Sequence, residues 1–326
     1  MIQTNWTRRE VLATLASARL SAAAPDSLAK PMRGAFIILS TPYTSSGALD
    51  YEDLAGEVDF LVRCGVQGLV WPQLASEYAL LTKEERMRGM GVLAKAARGK
   101  APALVLGVQG DDTDAMLEYA RYAETLSPDA VIAIPPRKAR SLDDYRQYFR
   151  ALCRTAKRPV FIQTSGGAPG LPPPVEFIVE LGAEFPNFGY VKEEHEPVLE
   201  RMKALARHRP GPIKSVFGAI HGRGWLYEMR HGFDGTITGG AMYADVYARL
   251  WQLHLQNKPE EMREVFSKLL LMLNLDQQIP GVRLYILKKR GVFKTTVSRR
   301  GTPTLTPEAI AEIEHNFEAL KPYLKA

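Results

Sequence analysis

The side chain with the clearest chemical potential in this sequence is that of Lys192. It follows the run of residues 188–191 at the end of a predicted β-strand, where a charged group should not be buried without a use. Burial of an amine disfavours its ammonium form, and the neutral amine is a nucleophile toward carbonyl carbons. The alternative is a lysine that extends its ammonium group outward to solvent. Spacing alone leaves both interpretations open.

Polar side chains also follow the ends of the other predicted strands. In barrels of parallel strands the active site lies at the carboxyl ends of the strands, so these side chains are candidates for substrate binding. They are Tyr43, Ser76, Glu77, Arg137, Gln163, Thr164, Ser165 and Thr238. Arg137, with Lys138 and Arg140, would hold an anionic substrate. A solvated basic loop is the alternative for that cluster.

Two further ionisable residues, Glu194 and His195, come shortly after Lys192. A carboxylate or an imidazole at this place would serve as a general acid or base. We expect both side chains at the rim of the site rather than inside it. His221 and His231 have no partner at the spacing of metal ligands, so the sequence predicts no metal, and it predicts no cofactor.

Eight predicted strand–helix units would position these residues. The strands are predicted at residues 35–40, 68–72, 103–108, 130–134, 159–163, 188–192, 213–217 and 235–238. Their spacing of roughly 29 residues is close to one βα unit of a barrel, and their apolar runs are typical of strands buried on both faces. The sequence therefore predicts an α/β fold, a (β/α)8 TIM barrel over residues 31–242. A doubly wound open sheet is the alternative, weakened because no Gly-x-Gly-x-x-Gly follows the first strand.

The two ends of the chain add to this barrel. Helical patterns at residues 243–256, 259–275, 280–290 and 307–320 predict a C-terminal helical extension over residues 243–326, packed on the barrel or making subunit contacts. Residues 1–30 contain Arg8 and Arg9 before a short apolar run, which resembles a twin-arginine export signal. We predict an exported, periplasmic protein. The alternative is an N-terminal helix or disordered leader on a cytoplasmic protein.

Composition excludes several classes of protein. An apolar fraction of 46% with 24% charged residues is that of a globular chain, and no apolar run is long enough to span a membrane. Two cysteines cannot form a disulfide framework. The net charge is +6, but residues 1–33 carry +3 and residues 283–300 carry seven basic groups, so the rest carries −4. Two local patches do not make a nucleic-acid surface, and no nucleic-acid partner is predicted.

Five segments, in order along the chain, resemble the motifs of one enzyme family. They are Ser40-Thr41-Pro42-Tyr43 with Gly47-Ala48-Leu49-Asp50, then Ser76-Glu77, Leu81-Thr82-Lys83-Glu84-Glu85-Arg86, Asp129-Ala130-Val131, and Pro186-Asn187-Phe188-Gly189-Tyr190-Val191-Lys192-Glu193. The chain resembles, from residue 34 to about 320, the dihydrodipicolinate synthase / N-acetylneuraminate lyase family of class I aldolases. The resemblance implies a Schiff base between Lys192 and a pyruvate-like 2-oxo acid or a sugar acid, with a carbon–carbon bond cleaved or formed through an enamine. It also implies a homo-oligomer, a dimer or a tetramer.

The sequence departs from this family around the lysine. Gln163 stands where the family has its proton-relay tyrosine, and glutamine is neither a general acid nor a base. Leu74 and Ala75 replace the paired threonines that contact the 2-oxo acid carboxylate. The family's substrate-binding arginine falls near Ala168, and the aromatic pair after the fourth strand becomes Pro136-Arg137. The second hypothesis is therefore a barrel that binds a small acid or sugar acid without turnover.

Overall fold

A computed structural model describes residues 30–326, so the predicted export signal falls outside the described residues. Within this range eight parallel strands form one closed barrel, in chain order from the first to the eighth. They are β1 (Gly34–Ile38), β2 (Gly68–Trp71), β3 (Ala103–Gly107), β4 (Ala130–Ala133), β5 (Val160–Gln163), β6 (Tyr190–Lys192), β7 (Ser215–Gly218) and β8 (Gly235–Thr238). Because β8 pairs with β1, the predicted (β/α)8 barrel is confirmed and the open-sheet alternative is wrong.

Helices surround this barrel and extend beyond it. Residues 30–326 contain α1 (Tyr51–Cys64), α2 (Lys83–Ala97), α3 (Thr113–Leu126), α4 (Leu142–Thr155), α5 (Val175–Glu184), α6 (Val198–Ala206), α7 (Trp225–Arg230), α8 (Ala244–Leu255), α9 (Pro259–Gln278), α10 (Val282–Lys289) and α11 (Pro307–Glu318). The last four confirm the predicted C-terminal helices. Helix α8 packs against β1, α9 packs against α8, and α11 packs against α9. The extension thus lies on the side of the barrel, with its first helix against the first strand.

The middle of the barrel interior is an apolar and largely aromatic layer. Phe36, Phe161 and Phe217 fill the interior, and the Phe36 and Phe217 rings meet edge to face with centroids 5.0 Å apart. Gly68 on β2 leaves room for this layer, because a Cβ there would lie 2.2 Å from the Phe36 ring. Side chains alternate between the two faces of a strand, so Gln163 shares the inner face with Phe161. Gln163 and Lys192, at the carboxyl ends of β5 and β6, therefore lie next to an apolar aromatic layer.

The basic segment 283–300 is neutralised by acidic residues of the barrel and of the helices around it. Arg290 forms a bidentate pair with the fully buried Asp245 at 2.7 and 3.1 Å. Lys294 contacts three carboxylates at the start of α1, and Arg299 binds Glu85. The Lys294 and Arg299 pairs tie the extension to the barrel, whereas the Arg290–Asp245 pair lies within the extension, and together they balance much of the local positive charge. In the part of the chain that the structure describes, no helix is long and apolar enough to cross a membrane.

A capping box begins α2. The Thr82 hydroxyl accepts a hydrogen bond from the Glu85 N–H at 3.1 Å, and the Glu85 carboxylate accepts one from the Thr82 N–H at 3.0 Å. Replacing Thr82 by alanine is expected to lower the free energy of unfolding by about 1 kcal/mol, because one N–H of the first turn loses its acceptor. Urea unfolding measures this loss. The exposed Ser267 in the middle of α9 is the control, and an equal loss in Ser267→Ala would contradict the capping explanation.

Candidate active site

The register of the barrel brings Lys192 beside Gln163. The two residues are paired neighbours at the carboxyl ends of β6 and β5, and both point inward. The Lys192 ammonium Nζ donates a hydrogen bond to the Gln163 Oε1 at 3.0 Å. The residue is only 2% exposed, so its amine is held inside the barrel mouth and does not extend to solvent.

Glu194 and Ser165 complete a closed ring of contacts with this pair. The Glu194 Oε1 lies 3.1 Å from the Lys192 Nζ, and its other oxygen, Oε2, accepts a hydrogen bond from the Ser165 hydroxyl. The Gln163 Nε2 donates to the Ser165 Oγ at 3.0 Å. The expectation that Glu194 stays at the rim is wrong, because the turn after β6 directs its carboxylate inward to the lysine. The site therefore contains a buried amine, a carboxylate and a hydroxyl in mutual contact.

Glu193 holds this turn in place. Its Oε1 accepts hydrogen bonds from the Thr164 hydroxyl at 2.6 Å and from the N–H groups of Glu194 and His195 at 3.0 and 2.8 Å. The Arg201 guanidinium lies 3.1 Å from its second oxygen. Thr164 in turn accepts a hydrogen bond from the Glu194 N–H at 2.9 Å. The predicted site residue Thr164 thus fixes the backbone that carries Glu194.

Burial sets the protonation of the ring. It lowers the pKa of the Lys192 amine, and the nearby Glu194 carboxylate opposes this only in part. For Glu194, burial alone would raise the pKa, but Lys192, the Ser165 hydroxyl and the backbone of Ile220 outweigh it and lower the pKa. The pair therefore combines an amine that loses its proton more readily than usual with a carboxylate able to accept one.

A cavity of about 530 Å³ opens directly above Lys192. Its size is within the range of small-molecule sites. The sequence-predicted residues Glu77, Ser165 and Thr238 line it together with Lys192. Thr238, at the carboxyl end of β8, is 2% exposed. The structure therefore brings these four residues together around one cavity.

The other predicted residues lie outside this cavity. Ser76 is buried, and its hydroxyl donates to the Leu39 carbonyl at 2.7 Å, so it fixes the loop after β2. Tyr43 lines a neighbouring compartment. Arg137 is exposed on the loop after β4, beside Lys138, which pairs with Asp112 at 2.9 Å. A role for Arg137 in binding stays a prediction from the sequence.

Three residues of the cavity wall were missed as substrate ligands by sequence reasoning. His221 follows β7, while Arg283 and Arg300 come from α10 and from the segment after it. Burial lowers the pKa of His221, and the Arg283 guanidinium adds to this effect, so its imidazole is held neutral. The basic run of residues 283–300 was the available signal, but sequence gave no reason to direct it into the barrel. Within residues 30–326 no cluster of three His, Cys, Asp or Glu side chains could hold a metal ion.

The chain is similar to known proteins over most of its length. The model of the dihydrodipicolinate synthetase family matches residues 31–319. The 4-hydroxy-tetrahydrodipicolinate synthase of Porphyromonas gingivalis is 23% identical over 274 residues, 82% of this chain and 90% of that protein. A probable 2-dehydro-3-deoxy-D-pentonate aldolase of Escherichia coli is 25% identical over 225 residues, 66% of this chain and 71% of that protein. The structure of Proteus mirabilis N-acetylneuraminate lyase has a TM-score of 0.76 at 19% identity, covering 90% of this chain and 100% of that one.

The fold and the named relatives together define a barrel of the lyase and aldolase class. This chain belongs to the dihydrodipicolinate synthetase family. The family resemblance of the five sequence segments is therefore confirmed, and identities near 24% agree with a divergent member. In this chain Gln163, Ser165 and Glu194 surround Lys192.

Proposed function

We propose that the chain is a class I aldolase-type lyase in which Lys192 forms a Schiff base with a pyruvate-like 2-oxo acid or a sugar acid. The observation that carries this proposal is the buried Lys192 amine, 3.1 Å from a carboxylate and facing a cavity of about 530 Å³. A lysine kept only for stability would not need an open cavity above it. The same arrangement favours an enzyme over the ligand-binding barrel that the missing tyrosine suggested.

The reaction begins with a proton transfer inside the ring. The Lys192 ammonium passes a proton to Glu194, and the freed amine attacks the carbonyl carbon C2 of the acid. The carbonyl oxygen receives one proton from the amine and one from Glu194 and leaves as water. The C2–N bond is then a protonated imine. Atoms and charge balance, since the ring returns to a Glu194 carboxylate beside a cationic nitrogen.

Cleavage of the carbon–carbon bond uses the imine as an electron sink. A base removes the proton of a hydroxyl on C4, the C3–C4 bond breaks, and its electron pair flows into the imine to give an enamine and a free aldehyde. The enamine accepts a proton at C3, and water hydrolyses the imine to release the shortened 2-oxo acid and Lys192. The reverse sequence forms the bond.

Glu194, with Ser165, is the group that we assign to these proton transfers. It takes the place of the family tyrosine that Gln163 has replaced, because its carboxylate contacts the reacting nitrogen and its other oxygen contacts a hydroxyl. A carboxylate with this position can take the C4 hydroxyl proton and return it to C3. Gln163 positions the amine by accepting its hydrogen bond, and it holds Ser165 through its amide nitrogen.

Borohydride trapping tests the proposal. The protein is incubated with pyruvate, 2-oxobutyrate or a 2-oxo sugar acid, reduced, digested and analysed by mass spectrometry. We expect a reduced adduct on the Lys192 peptide. Lys214 is the internal control, because burial also lowers its pKa but it lies at the opposite end of the barrel, bonded to the Phe188 carbonyl. No adduct with any acid of the panel, or equal labelling of Lys214, would overturn the proposal.

Two predictions about the whole protein accompany this one. We propose a homo-oligomer, a dimer or a tetramer, to be measured by light scattering. We also propose export through the twin-arginine segment around Arg8 and Arg9, with removal of the leader. N-terminal sequencing of the mature protein from its native host is expected to begin beyond residue 20. An intact Met1 would contradict export with cleavage.

A further inference from the structure

A second compartment of about 340 Å³ adjoins the Lys192 cavity. The two share part of their walls, including Glu77, Arg283 and Arg300. Ser40 and Tyr43, which follow β1, line only the second compartment. A ligand attached to Lys192 can therefore extend past Arg283 into this space. Together the two compartments offer more room than a three-carbon acid needs.

Three hydrogen-bond donors in this compartment are left without a partner. The Ser40 Oγ, the Tyr43 Oη and the Arg283 Nε are buried, and none of them has an acceptor among the atoms of residues 30–326. A buried polar group without a partner costs about 1–3 kcal/mol, so three in one compartment indicate that a ligand supplies the acceptors. The Arg283 Nε–H can only donate, and a guanidinium prefers a carboxylate oxygen.

Two contacts hold the guanidinium of Arg283 in place. Its Nη1 donates to the Ala75 carbonyl at 3.0 Å, and its Nη2 lies 3.8 Å from the Asp276 carboxylate. Neither contact uses the Nε. Arg300 is more exposed and lies 3.4 Å from the Glu77 carboxylate at the junction of the two compartments. Burial raises the pKa of Tyr43 to about 12, so its hydroxyl keeps its proton and remains a donor at neutral pH.

We infer that the second compartment is a carboxylate subsite, in which Arg283, Ser40 and Tyr43 bind a second carboxylate of the substrate, remote from the carbonyl that Lys192 attacks. This rests on the proposed function and names its substrate class, an acid with carboxylates at both ends. The carboxylates of Glu77 and Asp276 offset much of the positive charge of Arg300 and Arg283 in the wall, which disfavours a doubly charged phosphate relative to a singly charged carboxylate. Through Arg283, the C-terminal extension thus contributes to the substrate specificity of the barrel.

Matched ligands test the subsite through trapping on Lys192. The probes are 2-oxoglutarate, its distal methyl ester, and 2-oxopentanoate, and the concentration for half-maximal borohydride trapping is measured for each. We expect the concentration for half-maximal trapping to be at least about tenfold lower for 2-oxoglutarate than for the other two probes. The reason is that the charge-assisted hydrogen bonds require the distal carboxylate. Equal concentrations for the acid and its distal methyl ester would overturn the inference and leave the proposed function standing.

Variants of Arg283 and Tyr43 test whether these residues cause the preference for 2-oxoglutarate. In Arg283→Gln the advantage of 2-oxoglutarate should vanish, and in Tyr43→Phe it should fall by about threefold or more. Tyr43→Phe removes a hydroxyl that has no partner within the described chain, so folding should be unaffected even if Arg283→Gln destabilises the protein. Arg249→Gln, a partly exposed arginine of α8 paired with Glu261, is the control and should change nothing. A preference that survives both site variants would contradict the assignment.

A ligand without a carbonyl separates the subsite from the lysine chemistry. Calorimetry with glutarate should give binding that Tyr43→Phe and Arg283→Gln weaken and Arg249→Gln does not. If no 2-oxo acid labels Lys192 but glutarate binds in this pattern, the proposed function fails and the carboxylate subsite stands. If glutarate does not bind while 2-oxo acids label Lys192 without regard to a distal carboxylate, the subsite fails alone.

Discussion

Replacing Lys192 by alanine is expected to lower turnover by about 10⁴-fold or more, because the imine has no nitrogen from which to form. The buried amine touches Gln163 and Glu194, and no other amine lines the cavity among the described residues. Trapping with borohydride should give no adduct in this variant. Lys192→Arg keeps the positive charge but removes the nucleophile, so it should be equally inactive. Substantial turnover in either variant would overturn the assignment of Lys192.

Loss of activity must be separated from loss of folding in these variants. Removing the lysine leaves the Glu194 carboxylate buried without its cation, which costs about 3–5 kcal/mol when one partner of a buried pair is deleted. The double variant Lys192→Met/Glu194→Gln removes both charges and should recover most of that stability in urea unfolding. Its turnover should remain as low as that of Lys192→Ala. A double variant that is stable but inactive would show that activity is lost because the catalytic groups are missing and not because the protein unfolds.

Replacing Glu194 by glutamine is expected to lower kcat by about 100-fold, since a positioned acid–base group contributes roughly 10²–10⁴-fold. Glutamine keeps the shape and the Ser165 contact but cannot carry the proton between the C4 hydroxyl and C3. Trapping of Lys192 should survive, because the amine remains. The matched control is Glu196→Gln, which removes an exposed carboxylate from the same turn without touching the lysine. Equal losses in both variants would contradict a specific role for Glu194.

The pH profile distinguishes this chemical role from a structural one. Burial lowers the pKa of Lys192, while the Glu194 carboxylate favours the ammonium and holds the pKa up. The reactive neutral amine increases as pH rises through that pKa. Removing the carboxylate therefore lowers the Lys192 pKa further, and the acid limb of the rate of imine formation should move to lower pH in Glu194→Gln. If the acid limb does not move, or moves to higher pH, the electrostatic contact between Glu194 and Lys192 is contradicted.

The barrel could be predicted from local patterns because each βα unit carries its own signal. The apolar runs at β1 and β4 and the capping box of Thr82 and Glu85 are readable within a few residues. Lys192 and Gln163 could be predicted to lie at the carboxyl end for the same reason, since strand alternation and register are short-range properties. The same reasoning failed for Glu194, because its direction depends on the turn that Glu193 and Thr164 hold together.

The sequence by itself determined the strand order, the place of the lysine and the family, since these follow from repeated local patterns and from motifs around Lys192. Only the tertiary structure decided what surrounds that lysine. Arg283 is far from Lys192 in the chain, and its guanidinium reaches the cavity because the first turn of α10 lies beside the barrel mouth, where the Ala75 carbonyl accepts its hydrogen bond. Long-range contacts of this kind depend on how the extension packs, and no local pattern encodes them. The unpartnered donors of Ser40, Tyr43 and Arg283 could therefore be recognised as one subsite only once the chain was folded.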